Sequence, residues 1–157
     1  MQICTKLKEF LDSNKIKYVA VGHSPAYTAA EIAASAHIKG KNLVKCIIVN
    51  GDGTHYMVAT TANQKVSLEK VRRALNLKEA RLEKEDEFRA LFQDCELGAM
   101  PPFGNLYGMP VIVDEEVYRD KEIAFNGGNH ASLVKMDFAD FERLVKPVRA
   151  AVANPPA

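Results

Sequence analysis

Leu43-Val44-Lys45-Cys46-Ile47-Ile48-Val49-Asn50-Gly51-Asp52-Gly53-Thr54-His55-Tyr56-Met57-Val58-Ala59-Thr60-Thr61 sets two apolar runs on either side of a turn. Asn50-Gly51-Asp52-Gly53 is a strong hairpin signal, because its residues tolerate the positive φ that a tight β-turn demands. Alternation places Leu43, Lys45, Ile47 and Val49 on one face of the first strand, with Val44, Cys46 and Ile48 on the other. In the returning strand, Tyr56, Val58 and Thr60 alternate against Met57 and Ala59. Apolar residues on both faces describe a buried, central strand. Lys45 is the anomaly. An ammonium in such a strand is costly unless it opens into a polar cleft or meets an anion. The competing reading is an edge-strand lysine that snorkels to water. Cys46 faces the other way and reads as a small buried hydrophobe rather than a nucleophile.

Towards the N-terminus, Ile3, Leu7, Phe10 and Leu11 share one face of an amphipathic helix, and Tyr18 to Val21 follows as a short strand. Thr28-Ala29-Ala30-Glu31 is a capping box that opens an alanine-rich helix through about Ala36. His23 and Tyr27, beside that helix start, are candidates for a pocket wall, although a turn histidine and a packed tyrosine are common. Towards the C-terminus, Ser67 to Leu75 reads as a helix with Leu68, Val71 and Leu75 inward. Lys65, Lys70, Arg72 and Arg73 make its polar side basic, either as a solvated face or as a contact for a nucleic-acid backbone. Glu83 to Phe92 reads as a further helix.

The loop Gly98-Ala99-Met100-Pro101-Pro102-Phe103-Gly104 leads through Gly108 and Pro110 into the strand Val111 to Val113. Proline stiffens such a loop and glycine lets its backbone approach a ligand, so it suits a binding role as well as a plain turn. Glu122 to Phe125 is extended, Asn126-Gly127-Gly128-Asn129-His130 forms a second glycine-rich corner, and Ser132 to Met136 is a strand. A capped helix starts at Asp137 and ends near Pro147. Residues 1–149 are expected to form one domain and 150–157 a flexible tail.

With 157 residues, 47% hydrophobic and 26% charged, the chain is expected to be one soluble globular domain. A formal net charge of +1 argues against coating long stretches of nucleic acid, and no DNA partner is expected. No apolar run approaches membrane-spanning length and no signal peptide is visible, so a cytoplasmic protein without a membrane partner is expected. Cys4, Cys46 and Cys95 form no CxxC pair, and His23, His37, His55 and His130 form no HxxxH pair. Nothing argues for a metal, a disulfide framework or a cofactor. GxSxG, P-loop and GxGxxG signatures are absent. The remaining chemistry consists of Lys45, two glycine-rich loops and His130, a set suited to positioning and to stabilising negative charge.

Val44-Lys45-Cys46-Ile47-Ile48-Val49, the GxxxP segment from Gly98 to Pro102, the strand Val111 to Asp114 and the corner Asn126 to His130 together resemble the YbaK/prolyl-tRNA synthetase editing-domain family. The resemblance extends from about His23 to Val145, in matching order. It implies a mixed α/β fold, with a largely antiparallel, partly barrel-like sheet surrounded by helices. It also implies a freestanding trans-editing hydrolase that cleaves the ester between a wrong amino acid and the 3′-terminal adenosine of a tRNA. Family members are expected to use no metal and to place a water with help from the substrate's own ribose hydroxyl.

Carried over, Lys45 matches the essential lysine, Gly98 and His130 complete the catalytic candidates, and Ala99, Met100, Pro101, Pro102, Gly127 and Gly128 join His23 and Tyr27 around the aminoacyl group. Lys39, Lys41 and Lys65 are candidate contacts to the acceptor end, and an aminoacyl-tRNA synthetase is a candidate partner. Lys41-Asn42-Leu43 offers a second setting for the essential lysine, four residues upstream. A non-catalytic module that binds an RNA end or a nucleotide would use the same loops, and a Schiff-base enzyme using Lys45 is a third reading. Lys45, the Gly98 loop and His130 are expected to meet around one small pocket.

Overall fold

Leu43–Gly51 and Thr54–Thr61 pair antiparallel, from Val44 opposite Thr61 to Gly51 opposite Thr54, as the alternating pattern requires. The structure is a computed structural model and describes residues 3–22 and 42–155. Asp52 and Gly53, at the hairpin tip, have φ of 50° and 91°. Glycine adopts that conformation freely and aspartate tolerates it. Asn50 Oδ1 accepts the Gly53 amide at 3.0 Å, and the Asp52 carboxylate accepts the amides of Lys78 and Glu79 at 3.0 and 2.9 Å. Those two amides hold Asp52 below the usual carboxylate range.

The described strands are β1 (Tyr18–Gly22), β2 (Leu43–Gly51), β3 (Thr54–Thr61), β4 (Lys65–Val66), β5 (Ala80–Leu82), β6 (Val111–Asp114), β7 (Glu122–Asn126), β8 (Ser132–Asp137), β9 (Val148–Ala150) and β10 (Ala153–Asn154). The described helices are α1 (Thr5–Ser13), α2 (Leu68–Ala74), α3 (Glu85–Phe88) and α4 (Phe138–Val145). One sheet runs β1-β8-β7-β2-β3-β6-β9 with β5 also on β2, and β4 pairs separately with β10. The pairs β1/β8, β7/β8, β2/β3 and β2/β5 are antiparallel; β2/β7, β3/β6 and β6/β9 are parallel. The fold is therefore mixed α/β. Among the described residues no helix is long and apolar enough to cross a membrane.

Both faces of β2 and β3 are covered, and the two sets of alternating residues enter different cores. Val44, Ile48, Met57 and Ala59 pack with Leu7 and Leu11 of α1, with Phe138, Phe141 and Val145 of α4, and with Phe103 and Phe125. Val49, Val58 and Ile112 pack on the opposite face with Val71 of α2 and with Val152. Each such side chain, fully buried, is worth about 1.5–3 kcal/mol of transfer free energy. Phe103 matters most for the site. Its ring lies 5.4 Å from that of Phe125 and 5.3 Å from that of Phe141, so the loop after Gly98 is pinned to the core.

Two expectations change. The helix read from Glu83 to Phe92 is α3 followed by a separate 3₁₀ turn, Arg89–Leu91. Glu83 itself is not helical: its amide donates to Ile48 O at 3.0 Å, and its buried carboxylate meets His55 Nδ1 at 2.6 Å. The tail expected from Ala150 is tied down as far as Asn154. Val152 is fully buried, Ala153 and Asn154 pair with Val66 and Lys65, and the amides of Val152 and Ala153 donate to Asp114 Oδ1 at 2.9 and 3.1 Å. Alanine and proline look featureless in sequence, but a buried carboxylate offers their backbone a partner.

Candidate functional site

The site begins as an interruption in the hydrogen bonding of β2. One edge of this strand is paired with β3 along nearly its whole length. The other edge pairs with β7 at Leu43 and Val44 and with β5 from Val49 to Gly51. Among the described residues no strand covers Lys45 to Ile47 on that edge. The Gly98 loop enters beside this gap: Cys46 Sγ donates to Met100 O at 3.2 Å. Burial pushes the Cys46 thiol up to about 12, so it serves as a packing and hydrogen-bonding group and not as a nucleophile.

Gly98 and His130 meet directly. Gly98 has φ of 86°, and a Cβ built there would lie 3.4 Å from His130 Nε2. His130 is buried, and its Nδ1 lies 2.8 Å from Glu96 Oε2, which orients the ring. Backbone bonds join the two glycine-rich segments: the Glu96 amide donates to Gly128 O at 2.8 Å and the Gly128 amide to Ala99 O at 3.0 Å. Gly127 and Gly128 are required for close approach. A Cβ on Gly127 would lie 2.6 Å from Ile3 Cγ2, and one on Gly128 2.6 Å from Cys4 Cβ.

Ala99, Met100, Pro101 and Pro102 are buried, and the Met100 side chain belongs to the core. This loop therefore presents mainly backbone. The Ala99 amide is taken by Glu96 O at 3.1 Å, and Pro101 and Pro102 have no N–H. Among the described residues the amides of Gly98 and Met100 have no backbone partner, which leaves them as donors of the GxxxP segment.

Lys45 stands on the face of β2 opposite Cys46, directly across from Thr60 of β3. On the other side β7 pairs with β2 as far as Val44 beside Phe125 and ends one residue later, so Asn126 closes the paired stretch on the Lys45 side. Thr60, Lys45 and Asn126 thus set polar groups among the buried apolar residues of β3, β2 and β7. Thr60 Oγ1 and Asn126 Oδ1 are both buried without a hydrogen-bond partner. Burial lowers the pKa of Lys45 and the nearby Lys65 charge lowers it further; among the described residues no carboxylate pairs with it. Cys46, the residue after Lys45, ties β2 to the Gly98 loop through its bond to Met100 O.

Among the basic residues after β3, Arg72 and Arg73 both pair with Glu69, and Lys70 Nζ donates to Ala153 O at 3.0 Å. One carboxylate thus serves two guanidinium groups and Lys70 bonds a neutral carbonyl, so the face keeps a net positive charge. Lys65 is exposed, and its charge acts on Lys45. His23, Tyr27, Lys39 and Lys41 lie outside the described residues, as does the alanine-rich helix opened by Thr28. Sequence reasoning missed Glu96, Thr60 and Asn126 as site residues. Only Asn126, at the junction of a strand and two glycines, carried any local signal. Among the described residues, Cys4, Asp94 and Cys95 are the donor side chains close enough to share a cation, with their ligand atoms within 4.8 Å of one another. The Tyr107 hydroxyl lies among them and donates to Asp94 Oδ1 at 3.0 Å.

Residues 23–144 match the family described as the aminoacyl-tRNA editing domain. The prolyl-tRNA editing protein ProX of Acetoanaerobium sticklandii is 24% identical over 142 residues, covering 87% of this chain and 86% of that protein. Among solved structures, the hypothetical protein APE2540 superposes with a TM-score of 0.86 at 20% identity, over 96% of this chain and all of that one. A candidate trans-editing enzyme for prolyl-tRNA synthetase superposes with a TM-score of 0.81 at 20% identity, over 95% of each chain.

Proposed function

The chain belongs to the aminoacyl-tRNA editing domain family, and on that premise we propose that it is a trans-editing deacylase that hydrolyses the ester joining a wrong amino acid to the 3′-terminal adenosine of a tRNA. Water adds to the ester carbonyl, the bond to the ribose oxygen breaks, and the free amino acid and the ribose hydroxyl leave. An aminoacyl ester is already activated, so orientation, a placed water and charge stabilisation suffice. The reaction asks for no metal, because a hydroxyl of the substrate's own ribose positions the water.

The observation that carries this reading is the half-buried Lys45, without a carboxylate partner among the described residues and flanked by two buried oxygens that lack partners. Such a set is costly in itself and is relieved by a ligand that brings both anionic and N–H or O–H groups. The 3′ end of an aminoacyl-tRNA brings phosphate, ribose hydroxyls and an ammonium. In this reading Lys45 and Lys65 hold the terminal phosphate or the developing oxyanion, and the amides of Gly98 and Met100 receive the carbonyl oxygen. His130, set by Glu96, shapes the amino-acid pocket together with Gly127 and Gly128. The substrate brings Lys45 and the Gly98 loop together by lying across the edge of β2 that no described strand covers. His23, Tyr27, Lys39 and Lys41 remain candidates for the rest of the pocket and the acceptor contact.

Since the similar proteins are named for prolyl-tRNA editing, the proline acceptor tRNA is the first substrate to test and the synthetase for proline the first partner. The experiment follows ester loss from proline tRNA charged with each non-cognate amino acid in turn, using the wild type, Lys45→Ala and Lys41→Ala. Turnover that survives Lys41→Ala and is lost in folded Lys45→Ala is the expected result. Binding without turnover in the wild type would replace the hydrolase with an RNA-end binding module.

A further inference from the structure

Beneath the glycine corner, two thiols from distant parts of the chain touch. Cys4 precedes α1 and Cys95 follows the Arg89–Leu91 turn, yet Cys95 Sγ donates to Cys4 Sγ at 3.7 Å. The Tyr107 hydroxyl lies 3.1 Å from Cys95 Sγ and donates to Asp94 Oδ1, and the Lys6 ammonium lies 4.9 Å from the centre of the Tyr107 ring. Cys4 is buried, while Cys95 is half-buried on the wall of a surface depression that also includes Phe92, Glu96 and Leu97.

Both cysteines are wired to the candidate site through adjacent bonds. The Cys4 amide donates to Gly127 O at 2.7 Å, and the Cys4 side chain fills the space that a Cβ on Gly128 would need. Cys95 is followed by Glu96, whose carboxylate holds His130 and whose amide donates to Gly128 O.

We infer that Cys4 and Cys95 form an oxidisable dithiol, closed by a hydroperoxide into a disulfide that shifts the Gly98–His130 site. The thiolate of Cys4 attacks the O–O bond, takes one oxygen as a sulfenic acid and releases water from hydrogen peroxide. Cys95 then displaces hydroxide from that sulfur, and its own proton leaves with it as a second water. Two thiol hydrogens and two electrons thus pass to the peroxide, and the S–S bond is the product. The hydrogen bond from Cys95 lowers the pKa of the Cys4 thiol, whereas that same bond and burial raise that of Cys95, so Cys4 is the sulfur that attacks first. A disulfide needs the sulfurs about 2.0 Å apart, so they must close by about 1.7 Å. The segments that carry Glu96 and the Gly127–Gly128 corner move with them.

The effect on activity rests on the deacylase reading; the thiol chemistry does not. The full chain is treated with hydrogen peroxide, digested and analysed by mass spectrometry, beside Cys95→Ser. The expected result is a loss of about 2 Da in the wild type only, with the Cys4 and Cys95 peptides joined and Cys46 still free. Deacylation should then fall tenfold or more, since a misplacement of about 1 Å can cost on the order of a hundredfold. Dithiothreitol should restore it, and Cys95→Ser should not respond. Independent over-oxidation of the two thiols, or one zinc ion per chain that blocks both until a chelator removes it, would overturn the inference. A disulfide that forms without changing deacylation overturns the coupling. Inactivity of the reduced protein on every charged tRNA, with the disulfide still forming, counts against the deacylase reading alone.

Discussion

Replacing Gly98 with alanine separates backbone strain from loss of the site. The backbone there has φ of 86°, a conformation that L side chains rarely adopt. Holding a non-glycine residue at positive φ costs about 1–2 kcal/mol. The new methyl would stand 3.4 Å from His130 Nε2, which is ordinary contact, so strain dominates over clash. For a chain of this length 1 kcal/mol lowers Tm by about 2–4 °C, so a fall of roughly 2–8 °C is expected. Gly108 supplies the control. Its φ is 73°, and no atom lies within 4 Å of a Cβ built there, so Gly108→Ala carries similar strain away from His130. Thermal unfolding should therefore rank the two variants close together. Deacylation should not: Gly98→Ala should lose at least tenfold, as displacement of a donor by about 1 Å can cost far more, while Gly108→Ala stays within about threefold of wild type. Equal activity losses in the two variants, or wild-type turnover by folded Gly98→Ala, would refute the assignment of the Gly98 amide to the site.

Other outcomes follow from the same geometry. Burial and the Lys65 charge depress the pKa of Lys45, so charging it costs stability below that pKa and the cost is relieved above it. If the ammonium is the working form, enzyme-dependent kcat should fall as pH rises through the depressed value. Lys65→Ala should move that limb to higher pH, and an unmoved limb would assign it to another group. His130→Ala should leave deacylation measurable but broaden the range of amino acids removed, with Glu96→Gln intermediate; complete inactivity across the panel would make His130 an acid or base instead of a wall. Asp114→Ala should lower stability to urea by about 2–6 kcal/mol, at roughly 1–3 kcal/mol for each buried donor left unpaired, because Val152 and Ala153 both donate to it. Asp114→Asn, which keeps one acceptor oxygen, should lose less.

The hairpin and its two buried faces were legible in the chain because hairpin formation is local. Period-two alternation decides which side chains share a face, and Asp52-Gly53 decides where the chain turns. The two glycine-rich corners were legible for the same reason, as was the anomaly of Lys45, since one charge among Leu43, Val44, Ile47 and Ile48 needs a cause. What only the tertiary structure decided is which distant segments fill the gap in the β2 edge. The parallel pairing of β2 with β7 sets Asn126 at the Lys45 end of the paired stretch, and no turn residue near either strand encodes a register formed across some eighty intervening positions. The Gly98–His130 contact and the Cys4–Cys95 pair arise likewise, from backbone bonds between loops. Even the ordered end of the chain depends on a remote carboxylate, Asp114, which gives two otherwise featureless alanine-rich positions a buried partner. Local periodicity determined the elements; long-range hydrogen bonds, invisible to any window of sequence, determined what they surround.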